Sequence, residues 1–260
     1  MAVALALGGL LAACAAPAPR QASAPAESDP VGLTANDVVN ASPLEDPSAR
    51  FDLSDIDMLA LSPDMRAFID EHVDRSTREA DRLAQLLYAV LGGDRFTLAY
   101  DDSTRTAAST FRAGRGNCLS FTNMFIAMAR DLGLTASYQE VEIPPDWSLS
   151  GQTFLIAEHV NVLVEVKNAL SRVVDFNSYD TIVDVETESE VITDARARAH
   201  YFNNIGVERM LDDDVALAYA NMQQSIREDH TFDSAWVNMG ILHRREGLLD
   251  YAEVAYLQAL

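Results

Sequence analysis

Apolar positions along this chain repeat first at helical spacing, then at strand spacing, then at helical spacing again. Ser62-Pro63-Asp64 supplies a capping serine, a proline at the first helical position and an acid in the first turn, and Met65, Phe68, Ile69 and Val73 follow on one face. A second helix is predicted from about Thr77, with Ala80, Leu83, Ala84, Leu87, Val90 and Leu91 at its apolar positions and Gly92-Gly93 ending it. Residues 96–100 read as a short strand or loop and residues 103–111 as a short helix, while residues 31–61 predict no regular element. The turn Gly114-Arg115-Gly116-Asn117 then leads into a run from Leu119 to Leu132 that is apolar almost all round and stops at Gly133. A helix apolar on most faces is a buried one.

Beyond Gly133 the period changes to two. Residues 135–143 lean to strand and end at Pro144-Pro145-Asp146, and Trp147 after them reads as an aromatic that pins its loop. Residues 154–166 carry the clearest strand pattern, with Val160, Val162, Val164 and Val166 on one face and His159, Asn161, Leu163 and Glu165 on the other. A turn around Lys167-Asn168-Ala169 returns the chain as a strand over residues 172–176. Helices followed by antiparallel strands give an α+β order, a central helix packed on an antiparallel sheet. With the turn centred near Lys167, His159 lies directly opposite Asp175, about 5 Å away at Cβ. The acidic run over residues 184–190 reads as a solvated linker or hairpin.

The C-terminal part repeats. A shift of 34 places sets Phe202, Ile205, Gly206, Ala218 and Met222 onto Trp236, Met239, Gly240, Ala252 and Tyr256. That period resembles tetratricopeptide repeats, in which small residues sit where two helices cross and large ones fill the groove between them. The second repeat stops at Leu260 inside its second helix, which implies a natural continuation or a partner over that edge.

Charge and the N-terminus narrow the function classes. There are 19 Lys and Arg against 40 Asp and Glu, a net charge of −21, so the basic stripe that nucleic acid requires is missing. The uncharged run from Met1 to Ala13 has the length of a signal-peptide core, although no Lys or Arg precedes it. Leu11-Ala12-Ala13-Cys14 resembles the lipobox of bacterial lipoproteins, which implies lipidation of Cys14, and the Ala/Pro/Ser-rich residues 15–30 read as a tether. By that resemblance Ala15 favours the outer membrane of a Gram-negative envelope, facing the periplasm. A lipidated Cys14 leaves Cys118 without a disulfide partner. A lone cysteine is commonly a small buried hydrophobe. Cys118, however, begins the apolar helix, where unpaired N–H groups and the partial positive charge of the helix end favour an anion.

Cys118, His159 and Asp175 in chain order supply a nucleophile, a base and an acid that orients the base. The remaining histidines, His72, His200, His230 and His243, lack metal-ligand spacing and read as surface or half-buried residues. The run from Phe111 through Gly114-Arg115-Gly116-Asn117-Cys118, the helix end Ala129-Arg130-Asp131-Leu132-Gly133-Leu134, His159-Val160-Asn161-Val162, and Val173-Val174-Asp175-Phe176 together resemble the core of the transglutaminase-like superfamily. The resemblance implies a papain-like Cys–His–Asp arrangement, carried by Cys118, His159 and Asp175, and the activity of a cysteine peptidase, amidase or acyl transferase. It also embraces members that have lost activity, so a catalytically inactive binding scaffold is the alternative.

The resulting expectation is a signal peptide over residues 1–13, a lipidated Cys14 with its tether to residue 30, a transglutaminase-like domain over 31–185, and a tetratricopeptide segment over 194–260. Phe202, Gly206, Ala218, Trp236, Gly240, Ala252 and Tyr256 are its packing positions. No cofactor or metal is expected, and the helical segment is expected to bind a protein or peptide.

Overall fold

The computed structural model describes residues 32–45, 51–92, 96–141, 159–167, 169–176 and 189–260, with residues 147–150 and 153–156 described by their backbone. The apolar N-terminal run, Cys14, its tether, most of the acidic run and the side chain of Trp147 lie outside the described residues. A short helix, α1 (Ala35–Asn40), is followed by α2 (Pro63–His72) and α3 (Glu79–Leu91). Next come β1 (Ala99–Tyr100), α4 (Ala107–Ala113), β2 (Arg115–Gly116) and α5 (Cys118–Asp131). Six strands follow: β3 (Thr135–Val141), β4 (Trp147–Ser150), β5 (Thr153–Ile156), β6 (His159–Glu165), β7 (Arg172–Val174) and β8 (Ser189–Ile192). The chain ends in α6 (Asp194–Leu211), α7 (Val215–Glu228), α8 (Asp233–Arg245) and α9 (Leu249–Gln258). The mixture of helix and antiparallel sheet is α+β in class.

The local signals act as their chemistry requires. Ser62 accepts the N–H of Met65 at the start of α2, with Pro63 at its first position. The main sheet runs β7-β6-β3-β8, every neighbouring pair antiparallel, and α5 lies against it in a core that includes Phe125, Met128, Tyr138 and Val162. The alternation expected over residues 154–166 belongs to two strands. β5 pairs with β4 in a separate hairpin from Trp147–Ile156 to Ser150–Thr153, and only β6 enters the main sheet. Val191, beside the acidic run, belongs to the edge strand β8, which pairs with β3. The sheet therefore extends past the boundary expected at residue 185.

The sequence does not predict α1, nor the short strands β2, β4 and β8. Thr34 and Asp37 close a capping box around α1. Six residues cannot sustain a helix alone, so tertiary packing holds it. Val38 and Val39 are buried in the second core with Tyr219, Met222 and Val254, and the Tyr219 hydroxyl donates to both valine carbonyls at 3.0 and 2.8 Å. Ser42 Oγ lies 2.8 Å from His243 Nε2. α1 thus packs with the C-terminal helices and not with the sheet, to whose domain its position in the chain had assigned it. His243 and His200, expected to be surface or half-buried, are both fully buried, His200 bonded to Glu140 and His243 to Ser42 and Met239. Burial disfavours the charged ring of His243 and pushes its pKa down.

The C-terminal helices form two hairpins with matching crossings. A Cβ on Gly206 would lie 2.8 Å from Met222 Cγ and 3.3 Å from the Ala218 carbonyl oxygen, and one on Gly240 would lie 2.5 Å from Tyr256 Cε1. Ala218 and Ala252 are buried at the corresponding places. The match fails at the aromatic pair: Trp236 packs in the helical core, whereas Phe202 packs in the core under the sheet. The difference arises because α6 serves both cores, sending Ala197, Tyr201 and Phe202 to one and Ala199 and Met210 to the other.

Gly206→Ala tests the crossing. Within an open helix the change would stabilise by about 1 kcal/mol. Here, against fully buried Met222, overpacking is expected to outweigh that gain and leave a net loss of about 1–2 kcal/mol, read as a lower thermal midpoint by calorimetry.

Candidate active site

The turn expected to deliver Cys118 divides its work between two glycines. Gly114 ends α4 in the left-handed region at φ +62°, where a side chain is strained. Gly116 is needed for closeness, because a Cβ there would lie 2.6 Å from the Ser120 Cβ. Asn117 caps α5: its Oδ1 accepts the Ser120 N–H at 2.9 Å and the Ser120 hydroxyl at 2.8 Å. A helix leaves its first N–H groups without intrahelical acceptors, and Asn117 satisfies that of Ser120.

A loop over residues 101–105 holds the turn from behind. The Ser103 carbonyl accepts the Asn117 N–H at 3.3 Å and the Ser120 hydroxyl at 3.2 Å, and the Asp101 N–H donates to the Gly116 carbonyl at 3.1 Å. Ser120 Oγ accepts the Arg105 N–H at 2.8 Å. Arg105 in turn grips both Asp101 oxygens at 2.6 and 3.0 Å. That bidentate pair holds the Asp101 carboxyl below its usual range.

The helix carrying the thiol is fixed to the strand carrying the imidazole. Thr122 is four residues after Cys118 and so on the same helix face. Its hydroxyl donates to the Val160 carbonyl at 3.1 Å, next to His159. One residue on, Asn123 Oδ1 accepts the Tyr138 hydroxyl from β3 at 2.7 Å. Both contacts are buried, so each unmade bond would cost more than an exposed one.

His159 opens β6 and is 6% exposed, and Asp175, just past β7, is 9% exposed. His159 Nε2 lies 2.8 Å from each Asp175 oxygen. Burial alone would lower the imidazole pKa. Hydrogen bonds to Asp175 and to Cys118, with the charges on both, overcome it and raise the pKa from the ordinary 6.5 to about 10. With Nε2 on the carboxylate, Nδ1 is the nitrogen left to meet the thiol. Cys118 itself is free and partly exposed, so a reagent can reach it. The three side chains singled out in the sequence therefore lie together, His159 bonded to Asp175 and under the influence of Cys118.

The hairpin register behind the His159–Asp175 bond differs from the expected one. Val162 pairs with Val174 and Val164 with Arg172, so one further rung sets Asn161, not His159, opposite Asp175. The turn lies one residue later than Lys167. A two-residue slip keeps every side chain on its face, and His159 reaches Asp175 along the diagonal. Asn161 then becomes a contact of Asp175 that sequence reasoning passed over. Its Nδ2 donates to Asp175 Oδ2 at 3.2 Å, holding the acid from its second side, and its Oδ1 is buried without a partner among the described residues. The signal was present in the alternation, which put Asn161 on the face of His159. Among the described residues, no group of three or more His, Cys, Asp or Glu side chains is placed to hold a metal.

The His159 titration carries a stability signature. A raised folded-state pKa contributes stability that is present below pH 6.5 and lost as pH rises through about 10. Stability of the wild type is therefore expected to decline between those values more steeply than that of His159→Gln, measured by urea unfolding across pH. Imidazole nitrogen NMR is expected to place the wild-type midpoint near 10 and to move it down by about a unit or more in Asp175→Asn.

Neither the curated proteins nor the solved structures include a match to this chain. Residues 66–175, from within α2 to the carboxylate bonded to His159 and so including Cys118, His159 and Asp175, match the family model of the transglutaminase-like superfamily.

Proposed function

We propose that this protein is a thiol enzyme that cleaves or transfers acyl groups at amide or peptide bonds, with Cys118 as nucleophile, His159 as acid and base, and Asp175 as the group that orients His159. The observation that carries this reading is the buried His159–Asp175 hydrogen bond, with the partly exposed Cys118 at the start of α5 close enough to help raise the His159 pKa. The Cys118 sulfur attacks the carbonyl carbon, and the charge that develops on oxygen meets the N–H groups at the start of α5. His159 gives its proton to the leaving amine, and a thioester remains on Cys118. Water, or an amine acceptor, then loses a proton to His159 as it attacks the thioester, which returns the thiol to its first state. Hydrolysis is the default because water is the default acceptor.

The wider reading places this enzyme in a Gram-negative cell envelope, anchored through a lipid on Cys14 with residues 15–30 as tether. The C-terminal hairpins are read as tetratricopeptide repeats that recruit a protein or peptide, supported by the equivalent crossings at Gly206 and Gly240.

Alkylation of Cys118 by iodoacetamide at pH 7 tests the central claim without a known substrate. His159→Ala is expected to slow it about tenfold or more, because the imidazole that draws the thiol proton is gone. Equal rates in the two proteins would sink the enzyme and favour a binding scaffold.

A further inference from the structure

We infer that Glu208, on α6 in the C-terminal helical part, is a positioning residue for Cys118 that acts through Thr104 and Asn117. The inference rests on the thiol-enzyme reading. The Glu208 carboxylate accepts the Thr104 backbone N–H at 2.7 Å and also takes a hydrogen bond from the Thr104 hydroxyl. Thr104 Oγ1 in turn accepts the Asn117 amide Nδ2–H at 2.8 Å. Asn117 Oδ1, at the other end of that amide, caps α5 at Ser120. Cys118 is the next residue after Asn117.

The order of donors along this path follows from the chemistry of its end group. An ionised carboxylate only accepts, so the single Thr104 proton points to Glu208. The Thr104 oxygen then has only lone pairs to offer, and it takes the amide –NH2 of Asn117. That choice turns Asn117 Oδ1 toward the Ser120 N–H, the orientation that a helix cap requires. Were the amide reversed, its –NH2 would face the Ser120 N–H and the cap would fail. Thr104 and Asn117 are both 8% exposed, so water competes little for these bonds. Glu208 is itself partly buried, which raises its carboxyl pKa, while the two Thr104 bonds favour its charged form.

The consequence is that the helical part belongs to the reactive site. The transglutaminase-like match ends at Asp175, well before α6, yet α6 supplies the acid that orders the turn. Other α6 contacts, such as the Arg198 Nη1 donation to the Ile56 carbonyl at 2.6 Å, hold the two parts together without touching this path.

The test measures the iodoacetamide alkylation rate of Cys118 and the thermal midpoint in the full chain. Glu208→Ala and Thr104→Val are each expected to slow alkylation about tenfold, the scale of a small misplacement at a reacting group. The double variant is expected to be no slower than either alone, because both act on one path. Glu208→Gln, which keeps a carbonyl acceptor for Thr104, is expected to recover most of the rate. Arg198→Ala is expected to lower the thermal midpoint and leave the rate unchanged. Wild-type rates in Glu208→Ala and Thr104→Val, additive losses in the double variant, or an equal loss in Arg198→Ala would each overturn the inference. If Glu208→Ala does not fold, Thr104→Val, which retains Glu208, decides alone. His159→Ala in the same assay separates the two claims: slow alkylation there with normal alkylation in Thr104→Val rejects the Glu208 path and leaves the enzyme standing.

Discussion

The docking of α5 on β6 is the constraint from which the site follows. A helix buried on nearly every face has little freedom to slide, and the Thr122 hydroxyl on the Val160 carbonyl sets its position along the strand. Because Cys118 lies one turn before Thr122 and His159 one residue before Val160, that single buried bond brings thiol and imidazole together. The Tyr138–Asn123 bond adds a second point, so rotation is blocked as well as translation. Preorganisation of this kind lets a sulfur and an imidazole meet without a conformational search.

Burial then decides the electrostatics. An imidazolium at 6% exposure would be costly alone, and so would a carboxylate at 9%. Together, with both Asp175 oxygens 2.8 Å from Nε2 and Asn161 on the far side, each offsets the other. The outcome is a ring that keeps its proton well above neutrality. The same principle operates away from the site, where Glu140 on β3 meets Arg196 and His200 of α6, and these contacts bring its pKa down to about 2 against the opposing effect of burial.

The second part of the molecule is less separate than its repeat pattern suggests. α6 carries side chains into both cores, and Arg130 on α5 forms a bidentate pair with Asp194 at its start. From the opposite end of the chain, α1 closes over α7 and α9 through Val38 and Val39. The segment that carries α1 is therefore held by the C-terminal helices, and the sheet domain lies between these two segments in sequence but not in packing.

The sequence by itself determined the elements whose signals are local: the α2 cap at Ser62, the buried run of α5, the alternation of β6, and Cys118, His159 and Asp175 as reactive types in order. Face was legible as well, since alternation has period two, and so His159, Asn161 and Asp175 could be placed on one side of the hairpin. Only the tertiary structure decided what depends on distant partners. It set the register by where the turn falls, giving Asn161 the rung opposite Asp175. It divided the run before Val166 between two sheets, and it made a helix of residues 35–40, too short to persist without Tyr219 and Met222 against it. Phe202 shows the limit most clearly. Its repeat position matched Trp236, but a residue's periodicity says which face it occupies, and only the fold says what lies against that face.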